Sequence, residues 1–122
     1  MPEQKYLLIV DDEEEFLQLV LKKILLKKSY PVQPLIAVDG YEALDFLNTN
    51  NVAAIVLDLR MLNLGGLEVC RAIHSQPRFK NLPIIISSGF INEDDKRQLI
   101  KIGVQHFLQK PYPMEKLIDV LD

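Results

Sequence analysis

Short apolar runs alternate along this 122-residue chain with segments whose apolar residues recur at helical spacing. Tyr6–Val10, Val52–Leu57 and Leu82–Ser88 are three such runs, and Val104–Leu108 is a weaker fourth. Their apolar character is continuous, as in strands buried on both faces. A fifth run spans 31–38, where Pro31 and Pro34 confine it to a sheet edge or push its regular part to 34–38. Between the runs, Phe16, Val20 and Ile24 share one spacing and Leu17, Leu21 and Leu25 another, in a helix expected over 14–28. Its acids lead, and Lys22, Lys23, Lys27 and Lys28 trail, which suits the helix dipole. Further helices are expected over 41–47, with Leu44 and Leu47 inward, and over 66–74, with Leu67, Val69, Cys70 and Ile73. Another starts after an Asn92 cap, runs through Leu99, Ile100 and Ile102, and stops at Gly103. A last one has Pro113 at its first position and carries Leu117, Ile118 and Leu121. Five strands alternating with five helices imply right-handed crossovers and a parallel sheet covered on both faces, an α/β fold.

Composition narrows the setting. The length suits one domain over 1–122, with no room for a second core. A net charge of −3 and a pI near 5.4 argue against unaided nucleic-acid binding. No apolar run approaches the roughly 20 residues of a membrane helix, and Met1–Lys5 lacks a signal-peptide pattern. The single cysteine, Cys70, can form no internal disulfide framework and suits a helix-period apolar face. The expectation is a cytoplasmic domain with no membrane contact.

Ligands of parallel α/β sheets bind outside the carboxyl ends of the strands. Asp11 and Asp12 follow the first strand, Asp58 the third, Ser88 ends the fourth and Lys110 comes just after the fifth. Each alone has an ordinary explanation, such as a solvated acidic first turn, a helix cap, a turn serine or a surface lysine. Their coincidence on one rim does not. Three carboxylates sharing a small site repel one another and call for a cation, and hard oxygen donors favour Mg²⁺ or Mn²⁺. An ammonium and a hydroxyl beside them complete a phosphoryl-transfer constellation with a carboxylate as candidate nucleophile.

At these residues the chain resembles the receiver domain of two-component response regulators. The matching pieces are Asp11-Asp12-Glu13, Asp39-Gly40-Tyr41-Glu42-Ala43-Leu44, Asp58-Leu59-Arg60-Met61 with Gly66 eight residues after Asp58, Pro83 to Gly89, Gly103 to Phe107, and Lys110-Pro111. Ser88 lies 30 residues beyond Asp58, and Lys110 a further 22. The resemblance implies a flavodoxin-like (βα)5 three-layer sandwich with strand order 2-1-3-4-5. It implies that Asp58 is the phosphoacceptor, served by a partner sensor histidine kinase or histidine phosphotransfer protein. Asp11, Asp12, Asp58 and the backbone carbonyl of Arg60 would hold Mg²⁺ or Mn²⁺. Ser88 and Phe107 would be the switch residues and Lys110 the neutralising cation, with a cis Lys110–Pro111 bond. The output surface would be formed by the fourth helix, fifth strand and fifth helix, and a phosphorylation-dependent dimer, an output domain or a target protein would follow. On this reading the chain is no enzyme beyond its own phosphorylation and dephosphorylation.

Some positions depart from the family pattern. Leu62 stands where proline is usual, Ser88 where threonine is commoner, Gly89 where alanine is, and Phe107 lacks the tyrosine hydroxyl. Arg60 and Phe90, each two residues beyond Asp58 and Ser88, flank the expected path of attacking water and are expected to set the phosphoryl lifetime. A dehalogenase-type phosphatase would need an acid where Arg60 stands. A binding domain without phosphorylation would have no use for the acids, Ser88 and Lys110. His74 and His106 lack metal-ligand spacing, and Lys96, Arg97 and Lys101 read as the wet face of the fourth helix.

Overall fold

In the computed structural model, which describes residues 4–26 and 32–121, the strands are Tyr6–Val10 (β1), Gln33–Ala37 (β2), Val52–Leu57 (β3), Ile84–Ser88 (β4) and His106–Gln109 (β5). The helices are Glu14–Leu26 (α1), Gly40–Thr49 (α2), Gly66–His74 (α3), Glu93–Lys101 (α4) and Met114–Leu121 (α5). The strands form one parallel sheet in the order β2-β1-β3-β4-β5, as the resemblance implied. Residues 1–3, 27–31 and 122 lie outside the described chain, so the expected extension of α1 over Lys27 and Lys28, and the place of Pro31, are not covered; neither are the side chains of Ile24 and Leu25.

The strands bury both faces because their residues alternate between two apolar clusters. Leu7, Ile9, Ala54, Val56 and Ile85 meet Phe16 and Val20 of α1 and Met114 and Leu117 of α5. Leu8, Val10, Ile55, Leu57 and Ile86 meet Ala43 and Leu47 of α2, Val69, Cys70 and Ile73 of α3, and Leu99 of α4. Each fully buried Leu or Ile contributes roughly 1.5–3 kcal/mol, which makes the sheet a stiff support for whatever stands at its ends. Cys70 is in this core, and burial pushes its thiol up to about 12.

Several boundaries differ from the sequence reading for local reasons. β2 runs over 33–37 rather than 34–38, and Pro34 is accommodated because β2 pairs only with β1. Pro83 has no N–H to give, so β4 starts at Ile84, although the Pro83 carbonyl still accepts from Ile55 N at 3.0 Å. Val104 closes the end of α4 by donating to Leu99 O at 3.0 Å, with Gly103 at φ +96°, so β5 begins only at His106. α5 begins at Met114, one residue after Pro113. α2 gains a turn from its caps, with Asp39 accepting from Glu42 N and Asn50 N donating to Phe46 O. The Asn92 cap is present, accepting from Asp95 N at 2.7 Å.

Candidate functional site

Sheet register brings the rim residues together. The backbone N–H of Asp58 donates to Val10 O at 3.0 Å and that of Asp11 to Ala37 O at 3.0 Å. The backbone N–H of Lys110 donates to Ser88 O at 2.8 Å. Asp11 and Asp58 are therefore stitched to the ends of neighbouring strands, and Lys110 to Ser88. A close approach completes the cradle: a Cβ on Gly66 would lie 2.4 Å from the Asp58 carbonyl oxygen, so the start of α3 fits against the Asp58 backbone only with glycine there. The Lys110–Pro111 bond is cis.

The side chains converge on Asp58. Its Oδ1 accepts from Ser88 Oγ at 2.8 Å and from the Arg60 backbone N–H at 3.1 Å, while its Oδ2 faces Lys110 Nζ at 3.6 Å. Lys110 Nζ donates to Asp11 Oδ2 at 2.7 Å and to Glu13 Oε2 at 3.3 Å. Asp11 Oδ1 accepts from the Glu13 backbone N–H at 2.9 Å. Asp11, Asp58 and Ser88 are buried, Lys110 is partly buried and Asp12 is exposed at the mouth. Among the described residues no buried side-chain nitrogen or oxygen lacks a partner.

Burial pushes the Asp11 carboxyl above its ordinary value, opposed by the hydrogen bond and charge of Lys110. Burial would lower Lys110, yet its hydrogen bonds to Asp11 and Glu13 and the charges of Asp11 and Asp58 hold it above its usual range, so the ammonium stays charged at neutral pH. One carboxylate oxygen from each of Asp11, Asp12 and Asp58 lies within 4.8 Å of the others. Three hard oxygen donors this close suit a small divalent cation of the Mg²⁺ or Mn²⁺ type.

The Arg60 guanidinium reaches Asp95 of α4 at 3.2 Å and stands 5.7 Å from the centre of the Phe90 ring. Phe107 is partly buried against the α4 side, and Lys96 Nζ lies 5.5 Å from its ring, so Lys96 is less of a wet-face residue than its spacing suggested. Leu62 is 79% exposed beside Asn63, which adopts φ +65° and donates to Asp39 Oδ2 at 3.0 Å. That bond and the Glu42 amide hold the Asp39 carboxyl below its usual range, the amide being the larger cause.

Around Lys110 and Arg60, three of the contacts go beyond what the sequence indicates. Glu13 is a further partner of Lys110, where the acid run suggested only a helix start. Asp95 pairs with Arg60 across 35 residues. Phe16, which the sequence places only on a helical stripe, lies under Lys110 Nζ at 4.2 Å from its ring centre. The acid run hinted at the first; no sequence spacing signals the other two.

A family model described as the response regulator receiver domain matches residues 7–122. The response regulator MprA of Mycobacterium sp. (strain KMS) is 34% identical over 112 residues, covering 92% of this chain and 46% of MprA. The chain thus spans about half the length of the curated relatives it matches. The receiver domain of Francisella response regulator 1452 superposes with a TM-score of 0.82 at 30% identity, over 95% of this chain and 92% of that one. The Mn(2+)-bound form of response regulator Rcp1 gives a TM-score of 0.81 at 25% identity, over 98% of this chain and 89% of the other.

Proposed function

The chain belongs to the response regulator receiver domain family, and from that premise we propose that Asp58 accepts a phosphoryl group from a phosphohistidine of a partner kinase or phosphotransfer protein. Receiver domains are signalling domains of two-component systems rather than classical enzymes. The observation that carries the assignment is the meeting of Ser88 Oγ, Lys110 Nζ and the buried Asp58 carboxylate on one rim.

Asp58 Oδ1 already accepts two hydrogen bonds, which leaves Oδ2, on the Lys110 side, as the oxygen to attack phosphorus. The P–N bond of the donor breaks, the imidazole nitrogen keeps the electron pair, and the new P–O bond makes an acyl phosphate. Asp11, Asp12, Asp58 and the Arg60 backbone carbonyl would hold Mg²⁺ or Mn²⁺, which when bound would offset the crowded acids and the phosphoryl charge. The Mn(2+)-bound form of the related Rcp1 supports this reading. The phosphoryl group adds about −1.5 to −2 charge, and Ser88 and Lys110 would turn from Asp58 and Asp11 towards it. The Ser88 shift would carry the loop after β4 with it and let Phe107 repack, altering the α4-β5-α5 surface for an output domain, a target or a second copy. Arg60 and Phe90, each two residues beyond Asp58 and Ser88 and in contact with each other, would flank the path of attacking water and set the phosphoryl lifetime. The whole of residues 1–122 then acts as one receiver, working in the cytoplasm without direct nucleic-acid binding. Among the described residues no helix is long and apolar enough to cross a membrane.

Incubation with Mg²⁺ and acetyl phosphate, read by intact mass, tests this. One phosphoryl adduct in the wild type, lost in Asp58→Asn, is the expected result. No adduct in the wild type, or catalytic turnover of unrelated phosphate esters, would overturn it. Replacing Arg60 and Phe90 by small polar residues should change the decay rate of the adduct; an unchanged rate refutes their role.

A further inference from the structure

Lys110 has two kinds of neighbour. Three carboxylates face its ammonium from the rim, and an aromatic ring faces it from the α1 side. Phe16 is 8% exposed and its ring centre lies 4.2 Å from Lys110 Nζ. An ammonium this close to a ring face, partly withdrawn from water, is attracted by the ring quadrupole. The ring is itself held: Tyr112 packs edge-on against it, with centroids 6.2 Å apart and planes at 71°. The Tyr112 hydroxyl lies 2.6 Å from Ser87 Oγ, a buried residue of β4 adjacent to Ser88. One bracket thus runs from α1 through Phe16 and Tyr112 to β4, and Lys110 sits on it, with Tyr112 two residues further along the same segment.

We propose that Phe16, locked by the Tyr112–Ser87 hydrogen bond, is a positioning residue for Lys110. The carboxylates alone would draw the ammonium towards Asp11, where its 2.7 Å contact lies. The ring adds an attraction that does not depend on the charge of the acids. The ammonium is thereby held 3.6 Å from Asp58 Oδ2, where phosphoryl oxygens would arrive. Positioning a charge before the reaction spares the cost of reorganising it during the reaction. The inference rests on the phosphoacceptor reading of Asp58 and adds a residue to it.

The test changes the electronics of the ring while nearly keeping its shape. Mono-, di- and trifluorinated phenylalanine in place of Phe16 progressively weaken the negative ring face. The rate of phosphoryl gain from acetyl phosphate at saturating Mg²⁺ should fall stepwise, by roughly three- to tenfold across the series. Tyr112→Phe should give a smaller loss, not additive with that of Ser87→Ala. In the wild type the Lys110 ε-methylene protons should resonate upfield through the Phe16 ring current, and return to ordinary positions in Phe16→Leu. A flat rate across the fluorinated series, with wild-type phosphorylation intact, overturns the positioning role alone. Ordinary Lys110 proton shifts in the wild type overturn the contact itself. A wild type that takes no phosphoryl group on Asp58 removes the phosphoacceptor reading, and this role with it.

Discussion

The two ends of the sheet are built from the same strands and hold opposite chemistry. Asp11, Asp58, Ser87 and Ser88, which are the buried polar and charged residues among those described, all stand at the carboxyl ends, joined there by the ammonium of Lys110. The amino ends open into a cleft edged by the neutral amides of Asn48, Asn50, Asn51 and Asn81, with exposed Arg78 lying on the Phe79 ring at 4.4 Å. Burying charges is costly unless partners satisfy them. The strand centres supply the apolar burial that offsets this cost, and only one end uses it. Physical expense in the fold is therefore concentrated at the end proposed to carry the phosphoryl chemistry.

The contrast can be broken most strongly with a pair of charge deletions. Lys110→Ala should slow phosphoryl gain by about a hundredfold, the scale of losing a preorganised charge at a reacting group. Arg78→Ala, at the opposite end, should leave the rate unchanged. Intact-mass time courses would read both, and equal losses would mean that the ends are not distinct in function.

At the sheet centre, Ile86→Ala removes a side chain that is fully buried beneath the rim. It should cost roughly 2–5 kcal/mol by urea unfolding, more than any single rim substitution changes stability. A smaller loss would mean that the sheet is not the stiff support described above.

The rim itself should prove a burden on the metal-free protein. Burial raises the Asp11 carboxyl above its ordinary value of 3.8, so the stability that its neutral form gives is present below that value and lost as the pH rises through the folded one. At neutral pH the charged carboxylate is a net cost. Asp11→Asn should therefore raise the melting temperature without metal by a few degrees, on the order of 1 kcal/mol, and the gain should shrink as the pH falls. A lower melting temperature for the variant at neutral pH would show that the Lys110 pair outweighs burial. Adding Mg²⁺ should raise the melting temperature of the wild type more than that of the variant.

The smallest effect is expected at Cys70, on the α3 side. With its thiol pushed up to about 12 and its side chain fully buried, it should resist thiol reagents in the native state and react promptly in denaturant. Prompt native labelling would show that α3 opens on its own.

Much of this was legible in the residues. The continuous apolar runs announced strands buried on both faces, and the prolines of the second run announced an edge, because a residue without an N–H is tolerated beside a single neighbour. The ordered set Asp11, Asp12, Asp58, Ser88 and Lys110 followed from where strands end, since period and punctuation are local properties. What tertiary structure alone decided are contacts between residues with no common period. Phe16 and Lys110 are 94 residues apart and Arg60 and Asp95 are 35 apart, and each pair meets only because strand register and helix packing bring those surfaces together. The same holds for Gly66, whose motif position is plain in the chain. Its reason, a Cβ that would lie 2.4 Å from the Asp58 carbonyl oxygen, exists only once α3 lies against β3. Sequence determined which groups reach the rim; packing determined which of them touch.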